Sequence, residues 1–377
     1  MKKQAKISVM HITYDMRIGG TEMVIKSIIE GSDHSLLEMS IFCIESPLGP
    51  FAAELLDAGI KIVKHARKPG FDLSLIKAIR QHIKQHKIDI VHCHQYTPYI
   101  YGVFAAMLTS TKVIFTEHGR FYPDSGTWKR KLINPILHRL TAATTSISAA
   151  TKDALVIFEN LPREGIEVVY NGTAALHYDD NKISQLKKYY NITEQQLCLG
   201  TIARLDPIKN HRMMLESFKI VLESGIDAKL LIVGDGEERV NIENTIITLG
   251  LKNNVILTGY EPKPQNLLAM MDIYLLSSLS EGTSITLLEA MSIGKPCIVT
   301  HAGGNPEIID NNVVGLVTPN DDALAFAEAI ISLSSDRNLM AQFGVEAKKR
   351  FNNCFSLQKM NQAYQKLYIA SNNNLDN

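Results

Sequence analysis

Short runs of β-branched and aliphatic residues alternate with helix-patterned segments from one end of the chain to the other. That alternation confines the chain to βα units laid into parallel sheets. In the first half, strands are predicted at residues 7–13, 39–44, 60–63, 88–92, 113–116, 144–148 and 167–169, with helices between most of them, including 73–85 and 151–158. The series breaks at Asn171-Gly172-Thr173 and the polar stretch 178–182, then restarts with strands at 197–203, 229–233, 255–258, 273–277, 296–300 and 314–317. A length of 377 residues suits two or three domains. The expected architecture is α/β, with two doubly wound, Rossmann-like parallel-sheet domains at 1–173 and 174–355 facing each other. Leu357, Met360, Tyr364, Leu367 and Tyr368 form one helical stripe, so 356–377 is expected to be a terminal helix packing back on the first domain, ending in a frayed tail.

Charge excludes some partners. The 39 basic and 39 acidic side chains cancel, so the chain has no overall field that would recruit nucleic acid. The first 170 residues nevertheless hold 21 Lys and Arg against 16 Asp and Glu, and nine of the 12 histidines; that half suits a modestly anionic surface. Cys43, Cys93, Cys198, Cys297 and Cys354 are scattered without a CxxC pair and are expected to be reduced thiols of a cytoplasmic protein. The basic start, residues 1–6, leads into an apolar stretch broken by His11, Tyr14, Asp15 and Arg17, which predicts no export signal. No run of 18 apolar residues occurs, so any membrane contact is expected to be peripheral.

Three segments carry chemistry. Gly19 and Gly20 follow the first predicted strand and introduce a helix, where a backbone without Cβ atoms can approach a phosphate; the pattern is not the GxGxxG of nicotinamide binding, and an ordinary tight turn has the same form. In the second half, Ser277 to Met291 places Glu281 in a loop and Glu289 about two turns down the following helix, astride the start Gly282-Thr283-Ser284-Ile285. The N–H groups around Thr283 to Ile285 can receive a diphosphate, Glu289 can accept from ribose hydroxyls, and Glu281 from a sugar ring. Arg204 and Lys209 fall in the loop after the strand at 197–203, at the carboxyl edge where open α/β sheets bind ligands.

Together with Glu117-His118-Gly119, Tyr170-Asn171-Gly172, Val233-Gly234-Asp235-Gly236, Thr258-Gly259 and Gly294-Lys295-Pro296, these segments make the chain resemble, over its whole length, the GT-B glycosyltransferases of family 4. The resemblance implies two Rossmann-like domains with a nucleotide-sugar held in the cleft mainly by the second, and sugar transfer with retention, with no cofactor and no bound metal. It implies catalytic roles for His118, Arg204, Lys209 and Glu281: the cations at the phosphates, Glu281 at the sugar hydroxyls and His118 near the reacting carbon. Gly19, Gly20, Gly234, Gly282, Thr283, Ser284, Ile285 and Glu289 would bind the donor. No side-chain nucleophile is implied, because the leaving phosphate takes the acceptor proton in front-face attack, so the two glutamates are not a glycosidase pair. Thr283-Ser284 after Glu281-Gly282, and Thr173-Ala174 after Asn171-Gly172, depart from common family residues and leave the sugar open.

The expected partners are a UDP- or GDP-linked hexose and a sugar or polyprenyl-linked acceptor, in cell-envelope polysaccharide or lipopolysaccharide synthesis. His94 and Tyr96 are expected on the acceptor side. The basic segment 127–140 fits either a helix lying on the anionic inner face of the cell membrane or one with its apolar side in the core. In His92-Cys93-His94, strand alternation turns Cys93 away from both histidines, and no further ligand is evident in sequence, so no metal site is expected. A sugar-nucleotide epimerase and a non-catalytic nucleotide-sugar-binding protein are the alternatives; an exported solute-binding protein would need a signal segment.

Overall fold

The computed structural model describes residues 6–119 and 126–373; residues 1–5 of the basic start and 374–377 of the tail lie outside them. Contacts divide the chain into two units, Met1–Gly172 with Leu357–Asn377, and Thr173–Ser356.

The first unit is built on seven parallel strands: β1 Ile7–Thr13, β2 Leu37–Cys43, β3 Lys61–Lys64, β4 Ile90–His94, β5 Lys112–Glu117, β6 Ala143–Ser146 and β7 Ile166–Val168. They lie in the order β3-β2-β1-β4-β5-β6-β7. Val9, Met10 and Ile12 are fully buried although successive residues point to opposite faces, as a sheet covered by helices on both sides requires. The seven predicted strands are present, the first with its predicted bounds and the others with shifted ends. One shift matters: the strand expected at 88–92 runs Ile90–His94, which draws His94 into the sheet.

The second unit holds six parallel strands, β8 Leu197–Ile202, β9 Ala228–Val233, β10 Val255–Gly259, β11 Ile273–Leu276, β12 Cys297–Thr300 and β13 Gly315–Thr318, in the order β10-β9-β8-β11-β12-β13. In both sheets the strand order reverses beside the first strand, between β1 and β4 and between β8 and β11. Loops diverge there and leave room for a ligand at the carboxyl edge.

The helix Leu357–Asn373 packs against β1, β4 and the helix Gly20–Glu30, and buries Met360, Tyr364 and Tyr368 of its predicted stripe. All five cysteines are free, four buried and Cys354 exposed. Among the described residues no helix is long and apolar enough to cross a membrane.

Candidate functional site

In the first unit, sheet register assembles a group that sequence order conceals. β1 lies beside β4 with His11 opposite His92, and alternation puts His94 on the same face while Cys93 enters the apolar core. His11, His92 and His94 are all fully buried. His11 Nδ1 lies 2.8 Å from His94 Nε2, and His94 Nδ1 lies 2.8 Å from Nε2 of His118, on the loop after β5. His92 is held apart from this string: its Nδ1 meets the Tyr368 hydroxyl at 2.8 Å and its Nε2 the Thr116 hydroxyl at 2.7 Å.

Burial opposes charge on every member. His11 and His118 are each pushed down to about 3, and His92 and His94 lie well below the ordinary histidine value. Two sequence expectations change. His94 does not line a surface; it is fully buried and pairs with His118. The expectation of no further ligand beside His92 and His94 missed His11, which β-sheet register supplies: ligand atoms of His11, His92 and His94 lie within 4.8 Å of one another. The 2.8 Å between His11 and His94 nitrogens is a hydrogen-bond length, whereas two nitrogens on a tetrahedral zinc stand about 3.3 Å apart.

Around these residues, Gly19 caps the helix Gly20–Glu30, and a Cβ on Gly19 would meet Glu22 Oε2 at 2.5 Å. The helix start therefore already faces a carboxyl group, whose pKa burial raises. The Tyr96 hydroxyl donates to Asn134 Oδ1 at 2.6 Å, and the Arg130 guanidinium lies 4.3 Å from the centre of its ring. Asn134 in turn donates to Glu159 Oε2 at 2.8 Å, and Arg130 pairs with Glu159 Oε1 at 3.1 Å. These polar contacts pin the helix Trp128–Arg139 by Arg130 and Asn134, and Leu137 enters the apolar core beside them. Its apolar stripe faces outward: Trp128, Leu132 and Ile136 are 70%, 65% and 61% exposed.

In the second unit, the loops after β8, β11 and β12 meet. Lys209 Nζ lies 2.5 Å from Glu281 Oε1, and Ser278 Oγ donates to the same oxygen at 2.6 Å. Arg204 is exposed and forks onto Asp206 Oδ2 through Nε at 2.7 Å and Nη2 at 2.6 Å. Both expected phosphate-binding cations thus rest on carboxylates, Lys209 on Glu281 and Arg204 on Asp206. Gly234, at φ +146°, lets the loop after β9 approach the loop after β8; a Cβ there would lie 1.9 Å from the Ala203 carbonyl oxygen.

Ser284 caps the helix Ile285–Ser292 by accepting from Leu287 N–H, and the Thr286 hydroxyl meets Tyr274 at 2.8 Å. Thr283 and Ser284 are buried, and Gly282 is partly buried. Down the helix, burial raises the Glu289 carboxyl to about 7. Sequence reading passed over Gly303-Gly304. The Gly304 N–H donates to the Glu281 carbonyl at 3.0 Å, and a Cβ on Gly303 would lie 1.9 Å from that oxygen. The glycine doublet after a predicted strand was the same signal that singled out Gly19-Gly20.

Comparison with known proteins adds to this geometry. The family model described as Glycosyl transferases group 1 matches residues 182–350, and that described as Glycosyltransferase Family 4 matches 18–174. The N-acetyl-alpha-D-glucosaminyl L-malate synthase of Bacillus anthracis is 30% identical over 315 residues, 80% of this chain and 79% of that one. The UDP-Gal:alpha-D-GlcNAc-diphosphoundecaprenol alpha-1,3-galactosyltransferase of Escherichia coli is 27% identical over 386 residues, covering 97% of each chain. Among solved structures, Anabaena HepE in complex with UDP-glucose superimposes with a TM-score of 0.84 at 20% identity, over 96% of this chain and 99% of that one.

Proposed function

Because this chain belongs to the group 1, family 4 glycosyltransferases, we propose that it is a retaining, metal-independent hexosyltransferase. Its donor is a UDP- or GDP-linked hexose and its acceptor a sugar or polyprenyl-linked sugar of cell-envelope polysaccharide or lipopolysaccharide assembly. The observation that carries this reading is the cluster at the carboxyl edge of the second sheet, where Lys209, Ser278 and Glu281 converge and Glu289 lies down the following helix.

Glu281 holds Lys209, and Asp206 holds Arg204. A bound diphosphate competes with Glu281 for Lys209 and with Asp206 for Arg204, which leaves Glu281 oxygens for sugar hydroxyls, while Glu289 accepts from the ribose. Arg204 and Lys209 then meet the charge that develops on the departing diphosphate, a term worth about 10²–10³ in rate per donor. The acceptor hydroxyl attacks the anomeric carbon on the face the diphosphate leaves. The C–O electron pair goes to the phosphate oxygen, which takes the hydroxyl proton. The UDP-Gal donor and lipid-diphosphate acceptor in the name of the E. coli relative support these substrate classes.

The outward stripe Trp128, Leu132 and Ile136, with Lys129, Lys131 and Arg139 beside it, supports peripheral contact with the anionic inner face of the cell membrane, where a lipid-linked acceptor is presented. A thermal-shift panel of UDP-, GDP- and ADP-sugars in EDTA tests the reading. A donor at 100 times its dissociation constant stabilises the folded state by about 2.7 kcal/mol. A selective shift, followed by an NMR spectrum showing the donor's anomeric configuration preserved in the product, is expected; a flat panel rejects the donor assignment, and inversion rejects retention.

A further inference from the structure

The histidine string has two loose ends. Among the described residues, His11 Nε2 and His118 Nδ1 are both screened from solvent without a hydrogen-bond partner, while the nitrogens between them are paired at 2.8 Å. Three neutral imidazoles carry three N–H protons. Two fill the two N···N bonds, and the third sits at one end or the other. A proton placed on either end therefore fixes the tautomer of all three rings.

The two ends differ. His11 is fully buried in the sheet, whereas His118 is a partly exposed residue on the loop after β5, so the His118 end is the one a ligand can approach. A buried N–H without an acceptor is rarer than an unfilled lone pair, which leaves His11 Nε2 bare. The bonds then run one way: His11 Nδ1–H donates to His94 Nε2, His94 Nδ1–H donates to His118 Nε2, and the remaining proton stands on His118 Nδ1.

We propose that His11 and His94 are positioning residues that hold His118 as a neutral hydrogen-bond donor, its proton on Nδ1, for an oxygen of the bound sugar. The tautomer assignment stands on the string alone; the sugar as ligand rests on the glycosyl-transfer reading. With Nδ1 already protonated and Nε2 occupied by His94, His118 has no free lone pair for the acceptor hydroxyl's proton. That proton goes to the departing phosphate, as front-face transfer requires. Burial of the rings supports the neutral state, since a fourth proton would charge a group that water does not reach.

The test is long-range ¹H–¹⁵N correlation spectroscopy of the ¹⁵N-histidine-labelled full chain near neutral pH, with resonances assigned from single variants, and metal analysis of the same sample. The expected result is Nδ1–H and bare Nε2 on His11, His94 and His118. A ring of the string in the Nε2–H form, an imidazolium among the three, or stoichiometric metal on these nitrogens overturns the proposal. In His94→Phe the His118 tautomers should mix and kcat fall about 10- to 100-fold with the donor KM little changed, while His94→Gln, which can both donate and accept, should recover part of the loss. An unchanged His118 tautomer in His94→Phe overturns the positioning role. Absence of transfer with the string intact in the spectrum would instead sink the glycosyl-transfer reading and leave the tautomer assignment standing.

Discussion

Lys209 Nζ and Glu281 Oε1 lie 2.5 Å apart although 72 residues separate them, with the Ser278 hydroxyl on the same oxygen. The pair joins the loop after β8 to the loop after β11. It keeps a cation and an anion together in a partly buried place where neither would be stable alone, and under the proposed function a diphosphate competes for the lysine.

Replacing Glu281 with Gln should therefore separate binding from turnover. Lys209 loses its counter-charge and becomes available to phosphate, so nucleotide-diphosphate affinity should hold or improve, while sugar transfer should fall about 10²–10³-fold. Lys209→Ala should weaken nucleotide binding. Calorimetry with UDP beside steady-state kinetics measures both; a loss of UDP affinity in Glu281→Gln would contradict the competition.

The Glu289 carboxyl gives a pH signature. Its pKa is raised by burial to about 7, so the folded protein holds this proton more tightly than the unfolded chain. Its contribution to stability is present below the ordinary carboxyl pKa and is lost as pH rises through about 7. Ribose hydroxyls favour the carboxylate, so donor affinity moves the opposite way, rising about tenfold between roughly pH 6 and 8. A UDP-sugar, whose diphosphate diester does not titrate in this range, is the ligand to use. Glu289→Gln should flatten the profile, and an equally steep profile in that variant would show another group responsible.

Gly234 tests whether the Arg204 loop is held by backbone contact. At φ +146°, with a Cβ position 1.9 Å from the Ala203 oxygen, alanine can be accommodated only if the loops separate. Gly234→Ala should cost more than about 2 kcal/mol in denaturant titration and weaken donor binding. A variant as stable as the parent would refute the close approach.

The outward stripe of the helix Trp128–Arg139 should bind vesicles. Trp128→Ser with Leu132→Ser and Ile136→Ser should abolish sedimentation with vesicles containing anionic lipid. Thermal stability should change little, because the helix is anchored from its other side by Asn134 and Arg130. Binding of the parent should weaken with salt; equal binding of parent and triple variant would rule out this helix as the contact.

Tyr368 ties the terminal helix to the first sheet. Its hydroxyl meets His92 Nδ1 at 2.8 Å in a fully buried setting. Tyr368→Phe should cost about 1 kcal/mol, and somewhat more if the histidine nitrogen stays unpaired. Urea unfolding with an unchanged midpoint would show that the bond contributes nothing.

Local pattern determined much of this protein. Apolar runs such as 7–13 and 197–203 were legible as parallel strands because both faces are buried, and the spacing of Glu281 and Glu289 around Gly282-Thr283-Ser284 marked a loop, a helix start and a second turn. Alternation also told which face Cys93 takes. Tertiary structure decided the neighbours. A parallel sheet pairs strands that lie far apart in the chain, so His11 meets His92 and His94 because β1 sits beside β4 in a register that no local pattern encodes. Lys209 meets Glu281 because β8 lies next to β11. The stripe on 128–139 was visible as amphipathic, but whether it faced core or water depended on the polar anchor that Glu159 provides from another helix. Periodicity assigns a side chain to a face, and packing alone assigns what that face meets.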